Sequence, residues 1–175
     1  MPQPFAASDL RVRRAAFGDL PTIVEFNRRL ALETEGKTLD PAVLQRGVAR
    51  ALEEPDRLRY WLIERADDQR ILGQAGATRE WTDWRDGWIW WLQSVYVDAE
   101  HRGRGVFRAL YQHIRALAAA DPDVIGLRLY VENENERARR TYLSLGMRPG
   151  GYSVLEELWL DRPRPSAAHQ LGSSG

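Results

Sequence analysis

Residues 93–110 constrain this chain more than any other stretch. They join an alternating apolar strand that includes Val95, Tyr96 and Val97, a short polar loop carrying Arg102, Gly103, Arg104 and Gly105, and the opening of an amphipathic helix. A strand that runs through a glycine-bearing loop into a helix is a place to hold an anion. The glycines let the backbone turn tightly and approach a ligand, and the first helical N–H groups and the helix dipole favour negative charge. Arg102, Arg104 and Arg108 crowd the positive end of that dipole, a placement that makes sense if an anion sits there; the plainer reading is a solvated helix start.

The rest of the chain supplies neighbours for this unit. Residues 10–15 alternate apolar and basic side chains, as a half-buried first strand does. Asp19 is placed to cap a helix with Pro21 in its first turn, and apolar spacing predicts that helix over 20–33, ended by Gly36. Asp40-Pro41 opens a second helix reaching residue 54. Residues 58–65 and 71–80 read as a hairpin, with Gly73 and Gly76 leaving room for a close neighbour, and 88–97 as the longest strand. After the loop, Val106, Phe107, Leu110, Ile114, Leu117 and Ala118 share one helix face. A strand over 124–131 then returns in parallel with 88–97 or near it, because a helix crosses between them. A helix over 133–145, closed by Gly146, and a final strand over 152–160 complete a single domain over 1–160. Residues 161–175, rich in Pro, Ser, Ala and Gly, are expected to form a disordered tail.

Composition narrows the chemistry. A chain of 175 residues buries about 70% of its unfolded surface and needs no cofactor to fold. Zero cysteines exclude disulfides, thiolate metal ligands and a cysteine nucleophile within it. Equal counts of basic and acidic residues, 25 each, leave no global field for nucleic acid or an anionic membrane, and no apolar run approaches the roughly 20 residues of a spanning helix. The N-terminus lacks an export-signal pattern, so a cytoplasmic protein is expected. His101 and His113 have no third partner at ligand spacing, and no metal is expected.

The element order and two motifs resemble the GNAT acetyltransferase family across roughly residues 10 to 160. The first is Arg102-Gly103-Arg104-Gly105-Val106-Phe107, similar to the family's Gln/Arg-x-x-Gly-x-Gly/Ala loop; Phe107 departs from its small last residue. The second is Asn135-Glu136-Arg137-Ala138 followed by Tyr142-Leu143-Ser144-Leu145-Gly146-Met147, which looks like the family's Asn-x-x-Ala, Tyr, Leu-Gly-Phe segment. The resemblance implies an α/β (α+β) fold: a mixed, mostly antiparallel sheet of about seven strands with about four helices, ordered β-α-α-β-β-β-α-β-α-β. It implies acetyl-CoA as co-substrate, its pyrophosphate on the backbone N–H groups of Gly103, Arg104, Gly105, Val106 and Phe107 beside Arg102. Its pantetheine arm would lie along Val95, Tyr96 and Val97 like an added strand, with Asn135 hydrogen-bonding the same arm. The Val95 N–H would polarise the thioester carbonyl. The valines are equally ordinary core residues, and Asn135 an ordinary helix cap.

In the same resemblance Tyr142 is the general acid that protonates the departing thiolate; its plain alternative is ring packing. Many family members carry a glutamate where this chain has Gln93, and an amide cannot accept the acceptor's proton. A water relay to Glu80, Asp83 or Glu33 is the alternative, with Glu80 preferred because it ends the neighbouring strand; an already neutral amine is another. The implied activity is N-acetylation of a primary amine of a small molecule or peptide by direct attack, and the competing reading is a non-catalytic acyl-CoA sensor. Trp81, Trp84, Trp88, Trp90 and Trp91 crowd one hairpin. Period two separates Trp88 and Trp90 from Trp91, so one set serves the core and the other an aromatic pocket or a homodimer contact.

Overall fold

The computed structural model describes residues 3–160. Its elements are β1 (Leu10–Arg14), α1 (Leu20–Glu35), α2 (Pro41–Glu53), β2 (Arg59–Arg65), β3 (Ile71–Thr82), β4 (Gly87–Val97), α3 (Val106–Ala120), β5 (Val124–Leu129) and α4 (Glu136–Ser144). The strands form one sheet in sequence order, antiparallel from β1 to β4 and parallel between β4 and β5. Hairpin loops of a few residues force the antiparallel β2–β3 and β3–β4 pairs, the chain returns antiparallel from β1 to β2 through α1 and α2, and the α3 crossover forces the parallel β4–β5 pair. Among the described residues no helix is long and apolar enough to cross a membrane.

Each face of the sheet is covered by its own helices. Val106, Leu110 and Ile114 of α3 pack on Trp61, Trp90 and Leu92. Ile23 of α1 and Val48 and Ala51 of α2 pack on Tyr60 and Leu62 from the other side. Trp88 and Trp90 both join the α3 side, as period two requires, and Trp91 faces the other way. The local signals that end the helices are visible in detail: Gly36 closes α1 at φ 62°, and Asp40 Oδ1 accepts from the Val43 N–H at 2.8 Å to open α2.

Three expectations are corrected. The sheet holds five strands among the described residues, not about seven. Residues 152–160 are not a strand: Gly151 turns the chain at φ 76°, and the segment beyond is exposed and unladdered, with Leu155 at 95% exposure. Glu156 and Glu157 interrupt its alternation and split its apolar residues over both faces, so neither face can be buried cleanly. Asp19 does not cap α1 with its side chain. Its carboxylate accepts from the Ala16 N–H and pairs with Arg13, which also reaches the buried Glu64 at 2.8 Å. The segment 161–175 lies outside the described residues.

Gly73 and Gly76 do make room for close neighbours, and these belong to the protein. A Cβ on Gly73 would stand 2.6 Å from the Tyr96 carbonyl oxygen, and one on Gly76 2.9 Å from Leu58 Cδ1. Backbone cannot yield as a flexible side chain can. Gly73→Ala is therefore expected to lower stability by about 2 kcal/mol, read as a lower urea midpoint at unchanged slope.

Candidate active site

The sheet opens where the Gly loop begins. β5 pairs with β4 only as far as Leu92 opposite Leu129, whereas β4 continues to Val97. Beyond Leu92, among the described residues, no strand pairs with the β5-facing edge of residues 93–97. A bulge lies within that stretch: Gln93 opposes Gly76 and Tyr96 opposes Gln74, so Ser94 and Val95 together face Ala75 alone. Ser94 takes φ 52°, a left-handed conformation that costs a non-glycine residue about 1–3 kcal/mol and persists only where its surroundings enforce it. Here the surroundings are polar and buried. Gln74, fully buried, donates from Nε2 to the Ser94 carbonyl (3.2 Å) and to Asn27 Oδ1 (2.7 Å). Asn27 Nδ2 donates in turn to the Tyr60 hydroxyl (3.2 Å), which lies 3.5 Å from Ser94 Oγ.

The loop after β4 places its glycines in the left-handed region, Gly103 at φ 75° and Gly105 at φ 87°, and a Cβ built on either meets nothing within 4 Å. Gly105 immediately precedes α3, whose first-turn N–H groups have no acceptor within the helix. A concave, side-chain-free backbone at a helix start suits a pyrophosphate. Two of the three arginines, however, direct their guanidinium groups elsewhere. Arg102 donates from Nε to the Val97 carbonyl at 2.8 Å, pairs with Glu33 and lies over the Tyr96 ring. Arg104 lies 4.0 Å over the Phe5 ring and donates to the Gln3 carbonyl at 2.9 Å, while its own carbonyl accepts from the Phe5 N–H. The cradle is thus made of backbone, with Arg108 exposed beside it.

Tyr142 comes from α4 and packs its half-buried ring edge-on against Phe107, centroids 5.5 Å apart. That contact gives the large residue at 107 a packing partner on α4. Burial pushes the Tyr142 phenol above its ordinary pKa, so it keeps its proton at neutral pH. Asn135 caps α4, its Oδ1 accepting from the Ala138 N–H at 3.0 Å, a bond that uses only the oxygen of the amide.

The three carboxylates fall in different places. Glu80 pairs across the sheet with Ile89, before the splay, and accepts from Trp91 Nε1 (2.6 Å) and from Arg128 (2.9 Å). Trp91 in turn stacks near Tyr130, centroids 4.4 Å apart, at the end of β5. Asp83 is exposed in the β3–β4 turn, at the far end of β4 from the splay. Glu33 accepts from the Tyr96 hydroxyl at 2.8 Å and from Arg102. Partial burial raises its pKa, but the hydrogen bonds from Arg102 and Tyr96 outweigh this and hold it below the usual carboxylate value.

The family model for the acetyltransferase (GNAT) family matches residues 23–147. The chain belongs to the GNAT acetyltransferase family. It is an acyltransferase, and the family's acyl donor is acetyl-CoA. Among solved structures, one described as a possible acetyltransferase from Clostridium difficile 630 is 41% identical, with a TM-score of 0.79 over 86% of this chain and 97% of that one. A second, a predicted acetyltransferase with acetyl-CoA from Clostridium acetobutylicum, shares the fold at 17% identity, with a TM-score of 0.67 over 84% of this chain and 96% of that one. No curated protein matches the chain.

Within the GNAT frame, the residues that sequence reasoning passed over are those behind the bulge: Asn27, Tyr60, Gln74 and Ser94. A signal for two of them existed. Asn27 interrupts the apolar face of α1 beside Ile23 and Phe26, and Gln74 stands among the small residues Gly73, Ala75 and Gly76. A polar residue on a buried face implies a hydrogen-bonded partner. Arg128 and Tyr130 were likewise hidden, because only the β5 register brings them to Trp91.

Proposed function

We propose that this GNAT protein moves an acetyl group from acetyl-CoA to a primary amine of a small molecule or peptide, by direct attack of the amine. The observation that carries the reading is the splay after Leu92, which leaves a β4 edge containing a bulge directly beside a glycine cradle at a helix start. In this reading the backbone of Val95, Tyr96 and Val97 receives the pantetheine arm as an added strand, aided by Asn135, and the N–H groups of residues 103–107 receive the pyrophosphate. The bound co-substrate supplies an activated acyl thioester. Val95 N–H steadies the charge that develops on the carbonyl oxygen.

Tyr142 then donates its proton to the departing sulfur. From reference values of about 10 for the phenol and about 8.5 for the thiol, full transfer is uphill by roughly 2 kcal/mol, and burial adds to this. A hydrogen bond that strengthens as the sulfur gains charge meets the need without full transfer. The proton leaving the amine is relayed by water to Glu80. Each Glu80 oxygen has a second lone pair beyond its bond from Trp91 or Arg128. Glu80→Gln is accordingly expected to lower kcat at least tenfold, most at low pH where the amine is most fully protonated. An unchanged kcat with only a raised acceptor KM would assign Glu80 to acceptor binding instead.

The activity itself is tested by incubating the protein with acetyl-CoA and a panel of primary amines and following free thiol. Saturable thiol release with at least one amine is expected. Saturable acetyl-CoA binding without release for any amine would replace the enzyme reading with a non-catalytic acyl-CoA sensor.

A further inference from the structure

The peptide unit between Ser94 and Val95 is planar and trans, so its carbonyl and its N–H point in opposite directions. The Ser94 carbonyl accepts from Gln74 Nε2 at 3.2 Å. Whatever fixes that oxygen also fixes the aim of the Val95 N–H, and a hydrogen bond to the oxygen makes the N–H a stronger donor. We propose that Gln74 is a positioning residue for acyl transfer: from inside the protein it aims and polarises the Val95 N–H that meets the thioester carbonyl. This rests on the acetyl-CoA reading given above.

The geometry leaves Gln74 little choice of orientation. Its Nε2 group serves two oxygens at once, Asn27 Oδ1 at 2.7 Å and the Ser94 carbonyl, so a flipped amide would set oxygen against oxygen at the latter. Gln74 is fully buried and Asn27 nearly so, which keeps bulk solvent from competing for these bonds. Asn27 is held by the Tyr60 hydroxyl, and that hydroxyl returns to Ser94 Oγ. Ser94 is therefore gripped by its carbonyl and beside its hydroxyl at the residue where the backbone is left-handed. The grip comes from β2, β3 and α1, three elements that lie behind the bulge. None of these side chains is required to touch the co-substrate.

The test uses acetyl-CoA labelled with 13C at the thioester carbonyl. Infrared difference spectra of the wild-type complex are expected to show the carbonyl band displaced to lower wavenumber than in free acetyl-CoA. Gln74→Met keeps the length of the side chain and removes both N–H donors. It is expected to return the band most of the way to the free value, and to lower kcat about tenfold or more with the Kd of CoA within threefold. If Gln74→Met fails to fold, Tyr60→Phe, which removes only the hydroxyl behind Asn27 and Ser94, is expected to move the band part of the way in the same direction. A wild-type complex whose carbonyl band is not displaced, or a folded variant with the wild-type band and kcat, overturns the proposal while CoA binding stands. No binding of CoA by the wild type would overturn both this proposal and the acetyl-transfer reading.

Discussion

Replacing Tyr142 with phenylalanine is expected to lower turnover at saturating substrates by about 10²-fold, the lower end of what a positioned general acid contributes. Phenylalanine keeps the ring that packs edge-on against Phe107, so stability and acetyl-CoA affinity should stay close to those of the wild type. The loss should therefore appear in kcat, measured by thiol release, and not in Kd measured by calorimetry. Turnover within twofold of wild type would end the assignment. The pH dependence has a definite sign. Burial raises the phenol above its usual value of about 10, so the proton-bearing form persists through neutral and mildly alkaline pH. Tyr142 thus contributes no alkaline fall in kcat between pH 7 and 9, and a fall in that range must come from another group.

The second large effect is expected at the cradle. Gly105 sits at φ 87°, where a β-branched residue is severely strained, and a Cβ there would meet open space. Gly105→Val is expected to weaken CoA binding at least tenfold, both by disturbing the turn that aims the first N–H groups of α3 and by filling the space an anion would use. The backbone strain should also lower stability by about 1–3 kcal/mol. Gly126→Ala is the matched control: it too has open space, but its φ is not in the left-handed region, and both quantities should change little. If Gly105→Val folds and binds CoA as the wild type does, the pyrophosphate does not sit on this loop.

Much of this site could be read from the chain because the relevant signals are local. Gly36, Asp40 and Gly105 announce helix ends through their own conformational preferences, and the strand-loop-helix unit is contiguous. The bulge could not be read that way. Serine carries no preference that announces φ 52°; the conformation exists because Gln74, Asn27 and Tyr60 arrive from distant segments to hold it. The stretch 152–160 failed in the opposite direction. Its residues are apolar enough for a strand, but a strand is a relation between two edges, and the described chain brings no ladder to this one. Charge alone places Arg102 and Arg104 at the cradle, and charge does not say where a long side chain goes. Glu33 and the ring of Phe5 decide that.

The contact between Phe5 and Arg104 bears on how readily the cradle binds. Residues 3–5 hold the loop by two hydrogen bonds and a cation lying over a ring, so part of the loop's order is supplied before any ligand arrives. A chain lacking those first residues would retain every atom of the cradle and still meet its ligand with a looser one. The entropy of ordering the loop would then fall on the binding step, and affinity would drop with no contact to the ligand lost. Preorganisation at this site is in that sense held partly by residues 3–5, which sequence distance places far from the chemistry.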